Sequence, residues 1–166
     1  MASYAFCCLC FLGRQLVQAS ASGVSSPRSC LQRTLLFGAD SLKTFEDVCC
    51  KVPQSFAEPA GSMDSPDVDL WSKLSQIEET TFYDAQCGLP LFKAPRGRTF
   101  EEWKSESQNH GWPSFRKEEA VLENIEIKDD GEMVSKCNTH LGHNLPDGHG
   151  DRYCIDLLCI AGNPIT

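Results

Sequence analysis

The chain has 166 residues, 41% of them apolar, and a formal charge of −8, enough for one small domain with a modest core and a tail. The negative excess lies in residues 67–166, which carry eighteen Asp/Glu against ten Lys/Arg; a surface of that sign repels phosphate backbones and argues against nucleic acid as a partner. No run approaches the roughly 20 apolar residues that a spanning helix needs, so no membrane partner is expected.

Residues 1–39 hold Arg14, Arg28, Arg33 and six serines but no acidic residue, the composition of a transit segment for a chloroplast or mitochondrion. A secretory signal, suggested by the short apolar "YAFCCLCFL" and "ASA" at 19–21, and an uncleaved tail on a cytoplasmic protein are the alternatives. With "AEPAGSMDSPD" (57–67) read as a linker, residues 1–62 form a targeting or disordered leader and residues 63–166 the folded domain. Six of the ten cysteines precede residue 51, and only Cys87, Cys137, Cys154 and Cys159 fall in that domain. This argues for individually placed thiols rather than a dense disulfide framework.

Ser65-Pro66 makes an N-cap and first helical position for a short amphipathic helix carrying Val68, Trp71, Leu74 and Ile77. Thr99 and Glu102 stand in capping-box spacing at the head of a second helix over 99–108. The pattern then changes. "ENIEIKDDGEMVSKC" alternates around Asp130-Gly131, the signal for a two-residue hairpin that sets Ile127 opposite Val134. "RYCIDLLCIAG" reads as a final strand closed by Gly162 and Pro164. On such a strand Arg152, Cys154 and Asp156 share one face, while Tyr153, Ile155, Leu157 and Cys159 share the other. A thiol beside a guanidinium and near the histidines of "HLGHNLPDG" sits where positive neighbours favour the thiolate, which makes Cys154 a candidate nucleophile. For an isolated cysteine an inert buried thiol would be the commoner reading.

"GWPSF" (111–115), "HLGHNLPDG" (140–148) and "RYCIDL" (152–157), in that order, resemble the methionine-R-sulfoxide reductases of the MsrB family. "LWSKLS" (70–75) resembles the family's N-terminal helix and "CGLPLF" (87–92) the segment before its "GWPSF". The resemblance implies a mainly β domain, an antiparallel sheet with short peripheral helices. It also implies reduction of protein-bound methionine-R-sulfoxide without a bound cofactor. Carried over by motif, Cys154 is the nucleophile that becomes a sulfenic acid. His140 and His143 hold and protonate the sulfoxide oxygen, Asp147 orients them, and Arg152 supports the thiolate. Trp112 walls the substrate's ε-methyl group. Asp156 stands where the family commonly has asparagine, and its charge would oppose the thiolate.

Three departures accompany the resemblance. The family's structural zinc is held by two Cys-x-x-Cys pairs, whereas Asp84 and Val134 replace the first member of each pair here. Cys87 and Cys137 alone make too few ligands, so no zinc is expected, and the two thiols are expected close together, reduced or disulfide-bonded. His110 stands where relatives often carry a second cysteine, and Cys159 is expected on the far face of the strand. Reduction of the sulfenic acid therefore falls to an external thiol such as thioredoxin, glutaredoxin or glutathione, or to Cys87 or Cys137 through a rearrangement. Finally, a loop and strand that the family places before "CGLPLF" have little room here. A monomer is expected. A degenerate binding module and a redox-sensing thiol protein are the competing functions.

Overall fold

The computed structural model describes residues 42–54 and 57–162. The transit-like stretch over 1–39 and Pro164 lie outside the described residues. Among the described residues, eight strands form two antiparallel sheets. In the smaller, β1 (Thr80–Asp84) lies between β2 (Pro90–Ala94) and β8 (Ile160–Ala161). The larger has the order β3 (Ser114–Arg116), β7 (Arg152–Ile155), β6 (His140–Asn144), β5 (Glu132–Ser135) and β4 (Ile125–Ile127). The helices α1 (Leu42–Cys49) and α2 (Phe100–His110) are both short, so the fold is mainly β with peripheral helices.

The capping box predicted for the second helix is present at α2. Thr99 Oγ1 accepts the Glu102 N–H at 3.2 Å, and the Glu102 carboxylate accepts the Thr99 N–H at 2.7 Å. The helix stops at Gly111, whose φ of +86° is a left-handed ending that glycine adopts without strain. Its inner face carries Trp103, which meets Trp71, Phe82 and Phe115 with ring centroids 5.3–5.8 Å apart. Around this aromatic stack, Leu91 and Phe92 from the small sheet and Leu141, Tyr153 and Ile155 from the large one close a single core.

Five expectations are corrected. The helix predicted from Pro66 is a 3-10 turn, Leu70–Lys73, entered through Asp69 at φ +41°. Leu70 and Trp71 both bury, whereas Ile77 is 94% exposed; one turn satisfies the apolar residues before β1 begins at Thr80. The hairpin turns one residue earlier than predicted. A turn from Lys128 to Gly131, with Gly131 at φ +90°, is a three-residue loop ending in a left-handed glycine, and the extra residue pairs Ile127 with Met133 rather than with Val134. The final strand breaks after Ile155 into a 3-10 helix, Leu157–Cys159, before β8 resumes.

The fourth correction concerns the start of the folded body. Phe45, Val48 and Cys49 of α1 pack on Ala85, Leu158 and Cys159, and Cys49 is disulfide-bonded to Cys159. The stretch read as a linker contains Met63, fully buried in the main core, and Glu58, 4% exposed. Folded structure therefore precedes residue 63. A second disulfide joins Cys87 to Cys137, and Cys154 is the free cysteine among the described residues. The expected closeness of Cys87 and Cys137 is borne out as a disulfide, whereas Cys159, expected as a separate thiol, is paired with Cys49.

Candidate active site

Cys154 lies on β7 between Ser114 of β3 and His143 of β6, each directly paired with it across the sheet. The alternation predicted for this strand holds from 152 to 155: Tyr153 and Ile155 enter the core, while Arg152 and Cys154 face away from it. Gly142 beside them is obligatory, since a Cβ there would stand 2.0 Å from the Cys154 carbonyl oxygen. The half-buried thiol opens into a cleft of about 240 Å³ lined by Ala57, Trp112, Gly142, His143, Leu145 and Asp156. Trp112 and Leu145 give it an apolar wall, and His143 and Cys154 its chemistry.

The two histidines occupy different environments. His143 lines the cleft. His140, 1% exposed, sits 5.6 Å from it ring to ring and is clamped between two buried carboxylates, with Nδ1 2.9 Å from Glu132 Oε1 and Nε2 3.3 Å from Asp156 Oδ2. Burial works against its imidazolium, but the hydrogen bonds to Asp156 and Glu132 prevail and hold its pKa above the ordinary histidine value. The Cys154 thiol is pushed up, first by burial and then by the charges of Asp156 and Glu58; the charge and hydrogen bond of Arg152 pull the other way without reversing the shift. The thiolate-favouring neighbourhood expected from Arg152 is thus outweighed by desolvation, the larger effect.

Asp147 does not orient the histidines. Its carboxylate accepts two hydrogen bonds from Arg116, at 3.0 and 2.9 Å, and one from the His149 N–H, with Arg152 Nε 3.5 Å away. The Arg116 pairing holds it far below the usual carboxylate range. The turn carrying Asp147 brings its carboxylate to Arg116 of β3. Arg116 in turn binds Glu106 of α2, so Asp147, Arg116 and Glu106 form a charged chain that braces Arg152 from outside. Arg152 is 8% exposed, with Nε and Nη1 lacking hydrogen-bond partners among the described residues.

Glu132, Arg116 and Glu58 carry no motif and are absent from the sequence reading. The one local signal for Glu132 is its place opposite His143 in the β5–β6 ladder, just after the hairpin glycine.

Asp84 at the end of β1, Cys87 in the turn after it and Cys137 in the turn after β5 converge, with possible ligand atoms within 4.8 Å of one another. They do not fit a closed four-ligand zinc site. The two sulfurs are spent on each other and Val134 offers no donor; with Asp84 Oδ1 accepting from Gln86 N, Cys87 N and Thr139 Oγ1, the carboxylate oxygen without a partner among the described residues, Oδ2, is one donor where four are needed.

Residues 69–164 match the SelR domain. Among relatives named peptide methionine sulfoxide reductase MsrB, that of Pseudomonas putida KT2440 is 38% identical over 100 residues, 54% of this chain and 70% of that protein. That of Thiobacillus denitrificans is 35% identical over 91 residues, 48% of this chain and 62% of that protein. The protein of Leifsonia xyli is 33% identical over 92 residues, 48% of this chain and 60% of that protein. With the domain match covering more than half of its length and the three motifs assembled around one thiol, the chain belongs to the SelR domain family, that of the MsrB proteins.

Proposed function

We propose that the chain reduces methionine-R-sulfoxide in oxidised proteins and peptides, with Cys154 as the nucleophile. The observation that carries the reading is a free, half-buried thiol at the base of a cleft that pairs an apolar indole wall with an imidazole directly across the sheet. Trp112 and Leu145 receive the methyl and methylene groups flanking the sulfoxide sulfur. The Cys154 thiolate attacks that sulfur while His143 supplies a proton to the oxygen. The oxygen passes to Cys154 as a sulfenic acid, and methionine leaves as the reduced thioether. One thiol then displaces water to form a mixed disulfide, and a second thiol releases Cys154 and leaves as the oxidised disulfide.

The reductant in this reading is an external thiol: glutathione, glutaredoxin or thioredoxin. Supporting it, Cys159 is joined to Cys49 and Cys87 to Cys137, so none of these offers a thiol to the sulfenic acid while its bond is intact. His110 is exposed on α2 and cannot form a disulfide. An organellar home remains part of the proposal, resting on the composition of residues 1–39 alone.

The test is turnover by the full chain of separated R and S sulfoxide epimers with dithiothreitol. The R epimer is consumed, the S epimer is not, and Cys154→Ser is inactive yet folded. A single turnover without reductant leaves a dimedone-trappable sulfenic acid at Cys154. Sulfenylation by peroxide with no turnover of either epimer would instead identify a redox-sensing thiol, and neither reaction a binding module. A serine variant with a tenth of the parent rate, taken as roughly the smallest loss compatible with removing a nucleophile, would refute the assignment.

A further inference from the structure

The segment before residue 63 does more than pack on the domain. Gln54 donates its backbone N–H to Glu132 Oε1 at 2.9 Å, the same oxygen that binds His140. Four residues on, Glu58 makes contacts through three separate groups. Its N–H donates to Asp156 Oδ1 at 2.9 Å. Its carbonyl accepts the Trp112 indole N–H at 3.0 Å. Its carboxylate, buried with the rest of the residue, accepts the N–H groups of Leu157 and Leu158 at 2.8 and 3.0 Å. Ala57 lines the cleft itself.

A buried carboxylate is expensive unless its oxygens are satisfied. Here two backbone N–H groups at the turn following β7 compensate it. That anchorage fixes where the Glu58 backbone lies, and the backbone in turn fixes the indole on one side of the cleft and the carboxylate behind His140 on the other. We propose that Glu58 is a positioning residue of the active site, holding Trp112 and Asp156 through its own main chain and thereby setting the apolar wall that receives the substrate. The proposal rests on the reading of the cleft as a sulfoxide site. Glu58 touches no reacting atom; it acts through the groups it holds, and its charge adds a smaller opposition to the Cys154 thiolate.

The effect of loosening it follows from what Trp112 does. An indole that forms a wall contributes equally to substrate and transition state, so its misplacement raises KM and leaves kcat little changed. Hydrogen bonds to a charged group are worth about 1.5–3 kcal/mol, a factor of roughly 10 to 100. Glutamine at 58 keeps the shape but offers one acceptor oxygen to two N–H groups, and alanine offers none.

The experiment uses the full chain and its Glu58→Gln, Glu58→Ala and Trp112→Phe variants. The indole N–H of Trp112 is identified by NMR as the resonance missing from Trp112→Phe, and its exchange with solvent is followed alongside the kinetics with a methionine sulfoxide peptide and dithiothreitol. Glu58→Gln should exchange that proton roughly tenfold faster or more and raise KM by a similar factor with no loss of kcat, since removing the Glu58 charge eases rather than opposes the thiolate. Trp112→Phe, which removes the donor and leaves Glu58 in place, should raise KM as well. A folded Glu58→Gln protein with unchanged indole exchange and unchanged KM overturns the proposal. Should both Glu58 variants unfold, an unchanged KM in Trp112→Phe overturns it. A parent protein without turnover refutes the reductase reading, and the exchange measurement still decides whether Glu58 holds the indole.

Discussion

Replacing Cys49 and Cys159 together by alanine removes the tie between α1 and the 3-10 helix after β7 without leaving a lone buried thiol. Both residues are fully buried, and they lie 110 residues apart in sequence. A crosslink closing a loop of about 100 residues stabilises by about 4.7 kcal/mol in the chain-entropy account. The Cys87–Cys137 bond is nested inside this loop and spans 50 residues of it, so the effective loop is roughly half as long. Because the dependence is logarithmic, the estimate falls only to about 4 kcal/mol. Against a typical domain stability of about 5–15 kcal/mol, that is a large share. Urea unfolding of the full chain without reductant, read by the fluorescence of the buried Trp71 and Trp103, should show this loss. It should also show a steeper denaturant slope, because the unfolded chain is freer to expand. A loss below about 1 kcal/mol with an unchanged slope would show that the crosslink does not constrain the unfolded chain as reasoned.

Three further outcomes are expected. His143→Ala should lower kcat roughly 10²-fold or more if this imidazole, and not the buried His140, protonates the sulfoxide oxygen; a trivial loss there would move the acid elsewhere. Asp156→Asn should shift the pH profile of Cys154 alkylation to lower pH, because removing a like charge favours the thiolate while burial stays the same; a shift upward or none would deny Asp156 its electrostatic reach. Elemental analysis of protein reduced and then equilibrated with zinc should find well below one equivalent, and stoichiometric zinc lost in Cys87→Ala would overturn the reading of the donor set.

The parts of this molecule legible in its sequence are those governed by neighbours along the chain. A capping box is closed by residues three apart, and strand alternation by residues two apart, so α2 and the two faces of β7 could both be read off directly. The hairpin failed by one residue because Asp-Gly suits both a two-residue turn and the longer turn that ends on a left-handed glycine. What stayed hidden depends on distance. The Glu58 and Asp156 contact bridges 98 positions, and the pairing of Cys49 with Cys159 cannot be chosen from spacing among ten cysteines. Trp71 misled for a different reason. Its three-residue spacing with Val68 and Leu74 is helical, yet a single turn already delivers Leu70 and Trp71 to the core. The family resemblance sets Asp147 beside the histidines, whereas the turn that carries it brings its carboxylate to Arg116.

The carboxylate at 156 is easier to understand once Glu58 and His140 are placed around it. Alone, it would oppose the Cys154 thiolate by like charge, and burial already disfavours that thiolate. Its charge is not alone: Oδ2 faces His140 Nε2 and Oδ1 accepts the Glu58 N–H. An asparagine could accept the same N–H, but it would leave the His140 ring with Glu132 as its one carboxylate partner. The aspartate thus trades some thiolate for a firmer scaffold, in which a single carboxylate links the buried His140 to the segment that fixes the apolar side of the cleft. Cys154 sits at the junction, and its reactivity follows from how Arg152 on its own strand offsets burial and the two nearby carboxylates.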